Sequence, residues 1–162
     1  MELVEIGKNI LTNCMNVKPG ENVLIVTDDE KYDIGQTLYQ AAKLLKAEAM
    51  LMTMPAREVS GQEPPAVVAA AMKAADVVIC PMKTSITHTR AKIEAAEAGA
   101  RIATMPGITE EMFAMGAMTA DYSRVMALTE QVTDFLTNAN TARIEKDGHV
   151  LTLDLQGRRG VS

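Results

Sequence analysis

Short apolar runs recur along the chain, and each is followed by a segment of helical periodicity. This alternation is the feature that most constrains the fold. The runs start at Asn22 (NVLIVT), Glu48 (EAMLMTM), Asp76 (DVVIC) and Arg101 (RIATM). Each is short, rich in β-branched or other apolar residues, and bounded by turn residues, as a buried strand is. Between them lie Tyr32–Lys46, with Ile34, Leu38, Ala41, Ala42 and Leu45 on one side, then Ala66–Ala75 and Thr89–Ala98. A leading helix is expected over Glu2–Met15, carried by Leu3, Ile6, Ile10 and Leu11 and stopped by Pro19-Gly20. Strands apolar on both faces that alternate with helices build a mostly parallel sheet with helices on both sides. The expected fold class is therefore α/β, of Rossmann-like type.

The pattern changes after Thr109. A short helix is expected over Glu110–Met118, and a longer one from the N-cap residue Asp121 to Asn138. Ala142–Lys146 and His149–Leu155 then flank Asp147-Gly148, a strong two-residue hairpin signal. We divide the chain into a Rossmann-like α/β domain, residues 1–140, and a β-hairpin with its tail, residues 141–162. Pro65 suits the first turn of its helix, and Gly99 is placed to terminate the helix before it.

Composition removes several function classes. Lys and Arg number 16 against 21 Asp and Glu, a net charge of −5 with no basic stripe. A nucleic-acid surface needs clustered cations to displace counterions, so none is expected. No apolar stretch has the length of a membrane span, and the acidic N-terminus has no secretory pattern. Cys14 and Cys80 stand apart, each in an apolar setting, and are expected to be buried, reduced thiols of a cytoplasmic protein. Twelve Met stand against three Tyr, two Phe and no Trp, so Met is expected to fill the core where aromatic rings would otherwise sit. Met50, Met52 and Met54 share one strand face; a copper site would usually add Cys or His to such a set.

In an open parallel sheet, ligands gather beyond the carboxyl ends of the strands. Four loops qualify: Asp28-Asp29-Glu30, Pro55-Ala56-Arg57, Lys83–Arg90 and Pro106–Thr109. The first lacks the glycines that let backbone amides reach a pyrophosphate, and its acids repel phosphate, so ordinary nucleotide binding is disfavoured. Asp28 and Asp29 could hold a divalent ion, although adjacent acids at a strand exit are more often solvated. The third loop is the richest. Thr84, Ser85, Thr87 and Thr89 precede a helix, Thr104 and Thr109 lie beyond it, and His88 and Arg90 stand among them. One hydroxyl must cap the helix. Amides at a helix start also attract anions, and Arg90 could add a charged fork. His88 is the candidate for proton transfer, with Thr84, Ser85 and Arg90 as substrate-binding candidates. Ser85 lies in no GxSxG elbow. His149 is expected on the exposed hairpin, too remote from His88 in sequence to share a zinc site.

Three stretches carry a family resemblance: VKPGENVLIVTDD (Val17–Asp29), GQEPPAVVAAAMKAADVVICPMKTSITHTRA (Gly61–Ala91) and GARIATMPGITEEMF (Gly99–Phe113). They resemble the N-terminal half of the thermophilic-type metallo-aminopeptidases, the aminopeptidase T and aminopeptidase S group. The broad superfamily also includes iron-dependent ring-opening dioxygenases of 2,5-dihydroxypyridine. The resemblance implies a Rossmann-like domain from a protein about twice this length. It implies a divalent metal, Zn, Co or Mn, held by a C-terminal half absent from these residues, with no metal ligand in this chain.

The resemblance further implies a peptide or small-molecule substrate for the full-length form, a homodimer, and a chain inactive alone toward aminoacyl substrates. His88, Thr84, Ser85 and Arg90 would then line the cleft shared with the metal half. Two other readings stand beside it: the N-terminal half of a ring-opening dioxygenase, or a stand-alone module binding a small ligand.

Overall fold

A computed structural model describes residues 2–161. The chain forms two compact units, the first ending at Thr119 and the second beginning at Ala120. The long helix, placed by sequence with the α/β part, groups with the hairpin.

The first unit opens with α1 (Leu3–Asn9), which runs on as a π-helical turn, Ile10–Cys14. Four strands follow, β1 (Asn22–Asp28), β2 (Glu48–Met54), β3 (Val77–Met82) and β4 (Arg101–Pro106). They are interleaved with α2 (Tyr32–Leu44), α3 (Ala66–Ala74) and α4 (Arg90–Glu97), and α5 (Glu110–Ala114) comes after β4. The strands form one parallel sheet in the order β2-β1-β3-β4. The expected α/β class is what the chain adopts.

Successive residues of a strand face opposite sides, and this divides the core in two. Val23, Ile25, Val77 and Ile79 pack with α1, α2 and Phe113 of α5. Leu24, Val26, Val78, Cys80 and Met82 pack with α3 and α4. The central strands β1 and β3 are buried along almost their whole length. Each such aliphatic side chain contributes about 1.5–3 kcal/mol on burial. Gly35 lets α2 lie directly on β1, since a Cβ there would meet Thr27 Cγ2 at 2.9 Å.

Several expectations are corrected. Cys14 is exposed, whereas Cys80 is buried. The π-helical turn explains this. Met15 N–H donates to the carbonyl of Ile10, five residues back, at 3.3 Å. That wider turn carries Met15 into the core and turns Cys14 out. The third strand does not stop before Pro81 but continues through it to Met82. Pro65 stands just outside α3 as its N-cap. The helix after Thr109 ends at Ala114; Gly116, at φ +69°, starts a separate 3₁₀ turn to Thr119.

The second unit contains α6 (Tyr122–Asn138) and a hairpin of β5 (Thr141–Lys146) and β6 (His149–Asp154). Asp121 caps α6 by accepting from the amides of Ser123 and Arg124, and the Ser123 hydrogen bonds chiefly hold its carboxyl below the usual range. Asp147 and Gly148 both take positive φ, 51° and 78°, the conformation a tight two-residue hairpin turn requires. No residue of α6 or the hairpin is buried within the described residues. His149 is exposed, as the sequence predicts.

Candidate functional site

The sheet order places a topological switch between β1 and β3: the chain leaves β1 toward β2 and leaves β3 toward β4. Ligands of open α/β sheets bind beyond the carboxyl ends at such a point. Here the ladder between the two strands covers only Val23–Ile25 against Val77–Ile79. Pro81 has no N–H to continue it. The strands are joined beyond that point by side chains. Thr27 Oγ1 donates to the Pro81 carbonyl at 3.0 Å. Asp28, fully buried, accepts from the amide of Lys83 at 2.6 Å and from that of Lys31 at 3.1 Å. A buried carboxylate needs such donors, and backbone amides supply them here.

The loop after β2 crosses this edge as a strap. Ala56 N–H donates to Asp29 Oδ1 at 2.9 Å. Farther along, Gly61 N–H donates to the Ser85 carbonyl at 2.8 Å, and Ser85 N–H donates to Ser60 Oγ at 3.2 Å. The strap ends with Glu63, whose carboxylate accepts from the amides of Arg90 at 2.6 Å and Ala91 at 3.3 Å. The start of α4 therefore already holds an anion, supplied by the chain itself.

The predicted site residues take different places around this frame. Thr89 is the hydroxyl that caps α4, accepting from Lys92 N–H at 3.3 Å. Ser85 Oγ donates to Thr87 Oγ1 at 2.9 Å, and Thr87 Oγ1 lies 2.9 Å from Thr104 Oγ1 on β4. These make a row of linked hydroxyls across the exits of β3 and β4. His88 lies beside that row in the chain, exposed, with no hydrogen bond to any described residue. Thr84 Oγ1 is buried and has no partner among the described residues. Arg90 is separated from the others by its pairing: its guanidinium reaches Glu94 at 3.3 Å and is largely exposed.

The charges of the edge are otherwise mostly internally matched. Lys83 Nζ meets Glu30 Oε1 at 2.6 Å, which raises the lysine's pKa through that hydrogen bond. A pocket of about 360 Å³ between the exits of β1 and β4 is lined by Glu30, Lys31, Asp33, Ile34, Thr109 and Glu110, among others. A larger groove of about 670 Å³ lies elsewhere, along the outer strand β2, walled by Leu24, Met50, Met52 and Ala75 and by Tyr39. Among the described residues that line it, only Tyr39 is ionisable. Among the described residues, no group of three or more His, Cys, Asp or Glu side chains could hold a metal ion. No described helix is long and apolar enough to cross a membrane.

Sequence reasoning missed the roles of Asp28, Glu63, Ser60 and Thr27. Asp28 gave a partial signal, as an acid ending a buried strand. Glu63 gave none, because its partners lie 27 and 28 residues away.

Comparisons with known proteins bear on the family and the fold. The family model for 2,5-dihydroxypyridine 5,6-dioxygenase, NicX, matches residues 2–161. The solved structure of 2,5-dihydroxypyridine dioxygenase from Pseudomonas putida KT2440 superposes with a TM-score of 0.68 at 17% identity, over 94% of this chain and 47% of that one. AmpT from Thermus thermophilus superposes with a TM-score of 0.55 at 13% identity, over 94% of this chain and 53% of that one. At these identities the likeness is one of fold. The chain spans about half the length of both solved structures. None of the curated proteins compared with it matches. The aminopeptidase-like fold expected from sequence is supported, whereas assignment to the aminopeptidase family is not; the match favours the dioxygenase alternative.

Proposed function

We propose, from the premise that this chain belongs to the 2,5-dihydroxypyridine 5,6-dioxygenase family, that it forms the substrate-facing α/β half of a ring-opening dioxygenase acting on a hydroxylated pyridine. The observation that carries this reading is the family match, which runs over nearly the whole chain. The carboxyl edge supports it with an exposed imidazole, His88, beside a row of linked hydroxyls.

In this reading His88 exchanges a proton with a ring hydroxyl of the substrate. Its exposure and lack of a partner leave both ring nitrogens available. Ser85 and Thr84 orient the ring. Ser85 is linked to Thr87 and Thr104, so it can pass a hydrogen-bond polarity along the row. Arg90 takes an outer role, because it must leave Glu94 to reach a ligand.

A ring-opening dioxygenase of this kind implies iron, commonly held by two His and one carboxylate. The residues present do not fit such a centre. The described residues offer no three-ligand group. The carboxylates bonded to the two ends of the Lys83–Arg90 loop, Asp28 and Glu63, are committed to backbone amides. No step is therefore assigned to a metal in this chain. A divalent metal, and the homodimer expected from sequence, belong to the same proposal as properties of a longer protein. The two-metal aminopeptidase reading keeps only the fold-level likeness to AmpT.

The test is a titration of the chain with 2,5-dihydroxypyridine under anaerobic conditions, followed by NMR of the imidazole resonances. His88 should shift saturably while His149 stays fixed, and His88→Ala should abolish the response without lowering the melting temperature. No shift at His88, or equal shifts at both histidines, would refute the reading.

A further inference from the structure

We propose that Arg57, on the strap across the switch point, anchors the carboxylate of a small organic acid, with the Thr84 hydroxyl as a second donor. The inference does not depend on which reaction the edge serves.

It starts from which edge charges are already satisfied. Asp28, Asp29, Glu30 and Glu63 each have a donor within the chain. Lys83 is taken by Glu30, and Arg90 by Glu94. Arg57 is half-buried yet makes no ion pair with any described residue, and its Nε is buried without an acceptor. Thr84 Oγ1 is the other buried side-chain polar atom without a partner among the described residues. Leaving a buried donor unpaired is costly, and more so when it is charged. Buried polar groups in folded proteins are nearly always hydrogen-bonded, so each of these two atoms calls for a partner.

The two residues belong to one place in the fold. The strap that carries Arg57 is fixed on one side by Ala56 to Asp29, and on the other by Ser60 and Gly61 to Ser85, the neighbour of Thr84. An arginine Nε and Nη pair forms a planar fork that matches both oxygens of a carboxylate. Asp29, which accepts from the residue just before Arg57, disfavours a second negative charge on the ligand. A planar monoanion is thus preferred over phosphate.

Sodium benzoate is the probe, titrated into the whole chain at constant ionic strength and followed by NMR at the Arg57 Nε–H and the Thr84 and Ser85 amides. Saturable shifts at these groups are expected. Arg57→Gln should weaken binding by about tenfold or more, and Arg57→Lys should fail to restore it because the fork is lost. Thr84→Val should weaken binding less. Inorganic phosphate should bind more weakly than benzoate. Absence of saturable shifts in the unmodified chain, equal affinity in Arg57→Gln, or tighter binding of phosphate would overturn the proposal. No turnover or pyridine ligand enters this experiment, so its failure leaves the dioxygenase reading standing, and the reverse.

Discussion

Replacing Asp28 by Asn tests whether the switch point is held by a carboxylate rather than by strand pairing. The two side chains are nearly isosteric, so packing is preserved. The aspartate uses separate oxygens for separate amides, Oδ1 for Lys31 at 3.1 Å and Oδ2 for Lys83 at 2.6 Å. Asparagine keeps one oxygen and must turn an NH₂ toward the other amide, donor against donor. Hydrogen bonds to a charged group contribute about 1.5–3 kcal/mol, and an abandoned buried N–H costs about 1–3 kcal/mol. These overlap, so a loss of about 3 kcal/mol is expected. For a chain of this size that corresponds to a fall of roughly 6–12 °C in melting temperature. Urea unfolding followed by circular dichroism measures the loss, and hydrogen exchange at the Lys83 amide locates it. Asp29→Asn is the control, since exposed Asp29 accepts, among the described residues, only from Ala56 and should cost under about 1 kcal/mol. A change within about 0.5 kcal/mol for Asp28→Asn, or unaltered exchange at Lys83, would refute the reasoning.

Two further perturbations probe the core. Gly35→Ala should destabilise by about 1–3 kcal/mol, because the new Cβ meets Thr27 Cγ2 at 2.9 Å and a β-branched side chain cannot rotate freely away; equilibrium unfolding with the same midpoint as the parent would remove this explanation of the close helix–strand approach. Burial pushes the Cys80 thiol up to about 12, so at pH 8 a thiol reagent should label exposed Cys14 promptly and reach Cys80 only after denaturation. The folded state then holds the Cys80 proton more tightly than the unfolded chain does. Its contribution to stability is fully present below the unfolded thiol pKa, near 8.5, and declines as pH rises from there toward 12. Cys80→Ala should lack that alkaline decline, and equal labelling rates for the two thiols would contradict the burial.

Much of the fold was legible because its signals are local. The alternation of strand and helix patterns gave the parallel sheet, and Asp147-Gly148 gave the hairpin turn through the positive φ both residues adopt. Thr89 and Thr109 cap their helices by bonds to amides three residues on. The candidate site was legible as a loop but not as an arrangement. Four hydroxyls compete on equal terms in the sequence Thr84–Thr89, and only packing decides that Thr89 caps, Ser85 and Thr87 join Thr104, and Thr84 stays without a partner. The anion site imagined at Arg90 is filled by Glu63.

The amino-acid sequence alone determined the order of elements and their faces, because hydrophobic periodicity and turn chemistry act over a few residues. Tertiary structure decided which polar groups meet. The carboxylate of Asp28 and the amide of Lys83 lie 55 residues apart, and the hydroxyls of Thr87 and Thr104 lie 17 apart. Such pairings follow from the stacking of strands in the order β2-β1-β3-β4, which no local pattern encodes. The same holds for Cys14, turned outward by the single wide helical turn that carries Met15 into the core.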